Sequence, residues 1–247
     1  MIMTWILLLV AAFFAGALNA VAGGGSFLTL PALVFAGVPP VIANATGTMA
    51  LLPGYLASAW GFREELRSDT GVPLADLLVV SLVGGAAGAL LLLVTPNEIF
   101  QGIVPWLMLI ATALFGFGPH LLVALRGQSK AGRAVTGAGV LLVAIYGGYF
   151  NGGLGIMLLA LFTLLGLTDL NAMNGLKNLV SAVLTAIAVS IYAWGGAILW
   201  GQALVMMVAA TVGGYVGARL ARRVKPAHLR FGIVTTGLVM ACLFFAA

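Results

Sequence analysis

Eight apolar runs, most of them close to the length that crosses a bilayer, follow one another along this chain of 247 residues. They are Ile2–Val21, Val41–Gly61, Leu74–Val94, Ile99–Phe117, Ala134–Phe150, Leu179–Trp194, Ala203–Ala218 and Phe231–Phe245. About 20 helical residues, rising 1.5 Å each, span a hydrocarbon core of about 30 Å. Lipid offers no partner to a backbone N–H or C=O, and a helix pairs its own, so such a chain is expected to be an all-α integral membrane protein. Charge agrees, since 7% of the residues are charged against roughly 25% in an average soluble domain.

Two further runs, Ser26–Ala36 and Gly155–Leu167, are too short to cross and read as half-helices or re-entrant segments. Each follows a glycine-rich polar break, and each break is followed some twenty residues on by a second polar cluster. The first pair is Asn19 with Gly23-Gly24-Gly25-Ser26, then Asn44-Ala45-Thr46-Gly47-Thr48. The second is Asn151-Gly152-Gly153-Leu154-Gly155, then Asn174-Gly175-Leu176-Lys177-Asn178. Backbone that leaves the helix at membrane depth persists only where it lines a protein cavity or a ligand site, so the breaks mark where a substrate is expected.

The two pairs stand in register. Gly25 with Gly155, Asn44 with Asn174 and Thr48 with Asn178 are each 130 residues apart. Gly84-Gly85-Ala86-Ala87-Gly88 recurs as Gly213-Gly214-Tyr215-Val216-Gly217, and Gly102-Ile103-Val104 as Gly232-Ile233-Val234, at offsets of 129 and 130. The chain therefore reads as two repeats of five segments, residues 1–120 and 134–247, joined by a cytoplasmic linker at 121–133. An odd number of segments inverts the second repeat relative to the first. The expected architecture is about eight full transmembrane helices plus two short broken ones. Gly84 to Gly88 and their counterparts read as small-residue helix packing, without chemistry.

Basic residues gather in three connections, at Arg63 and Arg67, at Arg126, Lys130 and Arg133, and from Arg219 to Arg230. The positive-inside rule puts all three in the cytoplasm, and counting every segment as a crossing then puts both termini outside. The connections at Thr95–Glu98 and Trp194–Gly201 hold no basic residue and belong to the other side. The net charge of +5 thus reports orientation and gives no sign of nucleic acid. Met1 to Trp5 lack a basic stretch, so the first run reads as a membrane helix and not a signal peptide. Cys242, a single cysteine, excludes an intramolecular disulfide and a cysteine-clustered metal site; no cofactor is expected.

Of the 17 charged residues, Lys177 is the one well inside an apolar segment, and an intramembrane charge is costly enough to be functional by default. On a helix, Asn174, Lys177, Asn178 and Ser181 fall at i, i+3, i+4 and i+7 and share one face, as Asn44 and Thr48 do at i and i+4. Amide and hydroxyl donors, an ammonium and glycine-flanked helix N-termini suit an oxyanion. Two blander roles stay open: Lys177 snorkelling to the interface, and the amides and hydroxyls bonding helix to helix. Asp76 and Asp169 stand at helix starts, where a carboxylate caps. An enzyme is not expected, because no base or paired carboxylates lie in a span beside the Ser26 hydroxyl. No nucleotide-binding loop is present either, so the drive would come from a gradient or another subunit.

Ala22-Gly23-Gly24-Gly25-Ser26 leading to Pro31, Ala43 to Thr48, Asn151 to Gly155 and above all Asn174-Gly175-Leu176-Lys177-Asn178-Leu179 resemble the sulfite exporter TauE/SafE family of bacterial membrane permeases. The resemblance covers both repeats. It implies outward transport, across the bacterial cytoplasmic (inner) membrane, of small sulfur oxyanions such as sulfite or organosulfonates. The expected site joins Ser26, Asn44, Thr46 and Thr48 to Asn151, Asn174, Lys177 and Asn178, with backbone N–H groups of Gly24, Gly25, Gly153 and Gly155. Lys177 has no basic counterpart in the first repeat, where Gly47 or Thr48 takes its place. The expected partners are the anion and membrane lipid. The coupling ion and the oligomeric state, a homodimer included, stay open, as do an importer, a permease for another anion and a non-transporting membrane subunit.

Overall fold

The computed structural model describes residues 2–61, 73–125, 133–167, 169–221 and 226–246. Arg63, Arg67, Arg126, Lys130, Arg222, Arg223 and Lys225, on which the orientation argument leans, lie outside the described residues. Ten α-helices follow one another among the described residues: α1 Ile2–Ala22, α2 Ser26–Phe35, α3 Pro40–Gly61, α4 Leu74–Val94, α5 Asn97–Leu125, α6 Arg133–Tyr149, α7 Leu154–Leu164, α8 Leu170–Trp194, α9 Trp200–Ala221 and α10 Pro226–Ala246. Five of them, α1, α4, α5, α8 and α9, hold stretches long and apolar enough to cross a membrane. Of the expected linker, residues 121–125 extend α5 and Arg133 opens α6.

Helices α2 and α7 are 10 and 11 residues long, about half the length a bilayer core demands. Glycine starts both: Gly23 has φ 75° and Gly153 φ 73°, a left-handed backbone in which a Cβ is strained. Glycine also ends both. Gly37 and Gly166 take left-handed turns, and the next amides close back, Val38 N–H to Leu33 O at 3.0 Å and Leu167 N–H to Phe162 O at 3.0 Å. These Schellman closures satisfy carbonyls that a helix end would leave bare. Asp169 meets its expectation at the start of α8, where its Oδ1 accepts the Ala172 N–H at 3.4 Å.

The tightest helix contacts run through the expected small residues. A Cβ built on Gly213 would lie 1.8 Å from the Phe13 carbonyl oxygen, and one on Gly16 would lie 1.9 Å from that of Ala210, so α1 and α9 touch backbone to backbone. Helices α4 and α6 do the same, with Gly88 against the Ile145 carbonyl at 2.1 Å and Gly148 against that of Gly85 at 2.2 Å. Close approach of this kind replaces the hydrophobic drive that lipid cannot supply. Further contacts join α5 to α10, α3 to α8, α3 to α9, α4 to α8, α2 to α3 and α7 to α8. Helices α3 and α8 are thereby enclosed by the others. Large apolar side chains such as Val79, Ile110, Leu142 and Val208 cover the outside. Exposed Trp60, Trp194 and Trp200 stand at helix ends, where indole rings anchor at the membrane interface.

Candidate functional site

The two breaks meet. A Cβ on Gly23 would lie 3.1 Å from Gly155 Cα, so the segment that starts α2 rests on the first turn of α7. At the start of each short helix, Phe27 N–H bonds Gly24 O at 3.2 Å and Ile156 N–H bonds Gly153 O at 3.1 Å, while the Gly25, Ser26 and Gly155 N–H groups have no backbone acceptor among the described residues. A single tyrosine ties the breaks from α3. The Tyr55 hydroxyl donates to Asn151 Oδ1 at 3.3 Å and also bonds the Asn19 side chain. Asn151 itself holds φ 63°, a left-handed conformation that asparagine tolerates better than most residues.

The second break is held at several points. Asn44 Nδ2 donates to the Tyr149 carbonyl at 2.9 Å, the Tyr146 hydroxyl to the Gly152 carbonyl at 2.5 Å, and the Tyr192 hydroxyl to the Gly148 carbonyl. Thus α3, α6 and α8 all reach one short stretch of chain. Thr46 is occupied elsewhere, since its Oγ1 accepts the Leu199 N–H at 3.1 Å and pins the α8–α9 connection to α3. Asn97 Oδ1, at the start of α5, accepts the Val41 N–H at 3.1 Å. Both connections that lack basic residues therefore sit at the N-terminal end of α3.

Lys177 is 6% exposed and does not extend to the protein surface. Its ammonium donates to Asn174 Oδ1, on the preceding turn of α8, at 3.1 Å. Asn178 and Ser181 are buried beside it on the same face. Extending that face one step further finds Thr185 and then Tyr192, which continue the spacing at i+11 and i+18 from Asn174. The polar stripe therefore runs about 27 Å, nearly the thickness of the hydrocarbon core.

Not all the expected residues share one shell. Lys177 and Tyr192 are 15 residues apart on α8, about 22 Å along the axis. Tyr192 reaches Gly148, whose neighbour Tyr149 binds Asn44. Asn44 and Lys177 therefore stand at different depths. The structure gathers Asn44, Asn151, Gly153, Gly155 and the Gly24-Gly25-Ser26 turn around the meeting breaks, and places Asn174, Lys177 and Asn178 at the other end of α8.

Several buried polar atoms on these helices have no hydrogen-bond partner among the described residues: Asn19 Oδ1, Ser26 Oγ, Thr29 Oγ1, Asn44 Oδ1, Thr48 Oγ1, Asn151 Nδ2, Ser181 Oγ and Thr185 Oγ1. Several other helix hydroxyls bond their own turn: Ser81 to Leu77 O at 2.6 Å, Thr163 to Leu159 O at 2.9 Å and Ser190 to Ala186 O at 2.8 Å. Ser26 and Thr29 of α2, Thr48 of α3, and Ser181 and Thr185 of α8 do not. A buried polar atom left unmade costs about 1–3 kcal/mol, so a row of them marks a lane that water or a polar ligand serves. By contrast, a groove of about 470 Å³ between α1, α2 and α10 is lined by Leu7, Phe14, Leu28, Phe35 and Met240 and suits lipid chains.

Tyr55, Thr29, Thr185 and Tyr192 were not foreseen from the sequence. Tyr55, Thr185 and Tyr192 could have been, since they extend the face of a foreseen asparagine by i+11 or i+18. Thr29 carries no such signal, because its role depends on which helix packs opposite.

Comparison with known proteins covers nearly the whole chain. The family profile "Sulfite exporter TauE/SafE" matches residues 8–244. The chain is 30% identical to a "Probable membrane transporter protein ORF9" of Sinorhizobium, over 87% of this chain and 82% of that one. It is 32% identical to a "Probable membrane transporter protein" of Haemophilus influenzae, over 84% and 81% of the two chains. It is 29% identical to the "Probable membrane transporter protein YfcA" of Escherichia coli K12, over 93% and 85%. No solved structure matches the chain. With its match across nearly the whole length and its enclosed polar lane, this multi-pass membrane protein belongs to the sulfite exporter TauE/SafE family, a family of membrane transporters and not of enzymes.

Proposed function

We propose that the protein is a secondary transporter that exports small sulfur oxyanions, sulfite or organosulfonates, by alternating access. The observation that carries the reading is the meeting of two broken segments beside a row of buried, unpartnered polar atoms. Broken helices crossing at mid-membrane are how secondary transporters hold polar substrates. The anion is captured first at the Lys177 level, where an ammonium and the Asn178 and Ser181 side chains offer positive charge and donors. It then passes Thr185 to the meeting breaks, where Asn151 Nδ2 and the first amides of α7 and α2 receive it.

Two inverted repeats of five helices generate this arrangement. The helix contacts support it, because exchanging each helix with the one five places later maps α1–α9 onto α4–α6, α3–α9 onto α4–α8, α2–α3 onto α7–α8 and α5–α7 onto α2–α10. The left-handed glycines support it too, Gly23 pairing with Gly153 and Gly37 with Gly166. The protein lies in the bacterial inner membrane with both termini outside, so that the Lys177 end of α8 faces the cytoplasm, the side from which an exporter loads. The position of the two non-basic connections at one end of α3 supports that orientation.

Sulfite efflux from proteoliposomes tests the reading. Wild type is expected to move sulfite, Lys177→Ala to move it slower by about tenfold or more, the effect of losing one hydrogen bond to a charged ligand, and Asn44→Ala to slow it by untying α3 from the second break at Tyr149. Unchanged flux in both variants would sink the site.

A further inference from the structure

Asn44 and Asn174 occupy equivalent positions, yet their amide oxygens meet different fates. Asn174 Oδ1 accepts a hydrogen bond from the Lys177 ammonium at 3.1 Å. The residue equivalent to Lys177 is Gly47, which has no side chain to offer. Asn44 Oδ1 is buried with no hydrogen-bond partner among the described residues. Its identity as oxygen is fixed by chemistry, because the Tyr149 carbonyl on its other side can only accept and must face the amide NH₂.

Two more oxygens gather there. Thr48 Oγ1 lies one turn along α3 on the same face, buried and unpartnered. Thr29 Oγ1, also unpartnered, lies 2.7 Å from where a Cβ of Gly47 would stand, against the turn of α3 that runs from Asn44 to Thr48. Asn44, Thr48 and Thr29 are 2%, 2% and 1% exposed. An amide oxygen is an acceptor only and repels an anion, so the transported oxyanion is a poor occupant. No group of three or more His, Cys, Asp or Glu side chains is found among the described residues, and neutral oxygens without a carboxylate do not offset the desolvation of a divalent ion.

We propose that a small monovalent cation, Na⁺ or Li⁺ in size and charge, binds Asn44 Oδ1, Thr48 Oγ1 and Thr29 Oγ1, at the place which the Lys177 ammonium holds in the other half. One repeat carries its positive charge on a side chain; the other takes it from solution. As a coupling site this rests on the transport reading, but as a binding site it does not.

The first measurement therefore contains no substrate anion. The melting temperature of the purified full-length protein is followed in sodium, lithium, potassium and choline chloride at one ionic strength. Wild type is expected to rise saturably with sodium or lithium relative to choline, as a ligand of the native state requires. Thr48→Val and Thr29→Val, which remove one oxygen each at nearly constant shape, are expected to weaken that response by about tenfold. Thr112→Val, at a buried hydroxyl of α5 packed against Gly237 of α10 and outside the cluster, is expected to keep it. Equal melting in all four salts, or an unaltered response in both valine variants, overturns the site, as water alone in the cluster would produce. Sulfite flux then separates the two claims. Flux that proceeds equally in choline while sodium binding persists overturns the coupling role, and intact sodium binding with no sulfite flux overturns the transport reading while leaving the cation site standing.

Discussion

Helices α3 and α8 carry polar residues at matching positions and use them differently. On α3, Asn44, Thr46 and Tyr55 reach across to Tyr149, Leu199 and Asn151, and so bind the first half to the second. On α8, Lys177 turns to Asn174 of its own helix, while the Ser181 and Thr185 hydroxyls have no partner among the described residues. Both helices keep their polar face at the same positions, but its chemistry is divided. A fixed positive charge stands on one face, and acceptors without a donor stand on the other. Equivalent position does not imply an equivalent ligand.

Variants that erase or exaggerate this contrast test it. The largest effect is expected at Lys177. Lys177→Met keeps the length of the side chain and removes the charge, and should lower sulfite flux in proteoliposomes by about tenfold to a hundredfold, the worth of a hydrogen bond to a charged group. Lys177→Arg should retain measurable flux. Because the buried ammonium is held by an amide oxygen, with no carboxylate partner among the described residues, Lys177→Met should melt no lower than wild type. A large fall in melting temperature with flux retained would make the lysine a structural residue and end the comparison.

Tyrosines come next. Tyr192→Phe leaves the Gly148 carbonyl without its donor and should cost about 1–3 kcal/mol of stability, read as a lower melting temperature. Tyr55→Phe unties Asn151 and Asn19 and should slow transport more than it lowers melting, because it loosens the junction of the breaks. Equal melting losses with unaltered transport in both would mean that the two helices merely hold the bundle together. The smallest stability effect is expected at Thr185. Thr185→Val removes a buried hydroxyl with no partner among the described residues and should not lower the melting temperature, while slowing flux several-fold. Ser190→Ala, exposed and bonded to its own helix at Ala186, should change neither. Flux equal to wild type in Thr185→Val would take that hydroxyl out of the lane.

Much of this was legible because glycine and hydrophobic length speak directly about backbone. The ends of the short helices, the left-handed turns at Gly23 and Gly153, and the close packing at Gly88 and Gly213 all follow from having no Cβ. Lys177 was legible because a charge in an oily segment has few explanations. What could not be read was depth and partnership. Asn44 and Lys177 sit at similar distances from their helix starts, yet those helices run from opposite ends of the bundle, so the two residues are separated where the sequence suggested a common shell. Nor could the sequence tell which atom of Asn44 would be spent on Tyr149, because that depends on the end of α6 arriving beside α3.

The backbone contacts of α1 with α9 and of α4 with α6 bear on how the protein is made. Helix α1 leaves the ribosome before α9, its tightest partner, with seven helices between them. Until then its Phe13–Ala17 stretch faces lipid and earlier helices without the glycines that complete it. The same holds for α4 until α6 is inserted. These two backbone seams therefore close only after the later helix of each pair has been inserted, so close packing is the last step of assembly and not an early one.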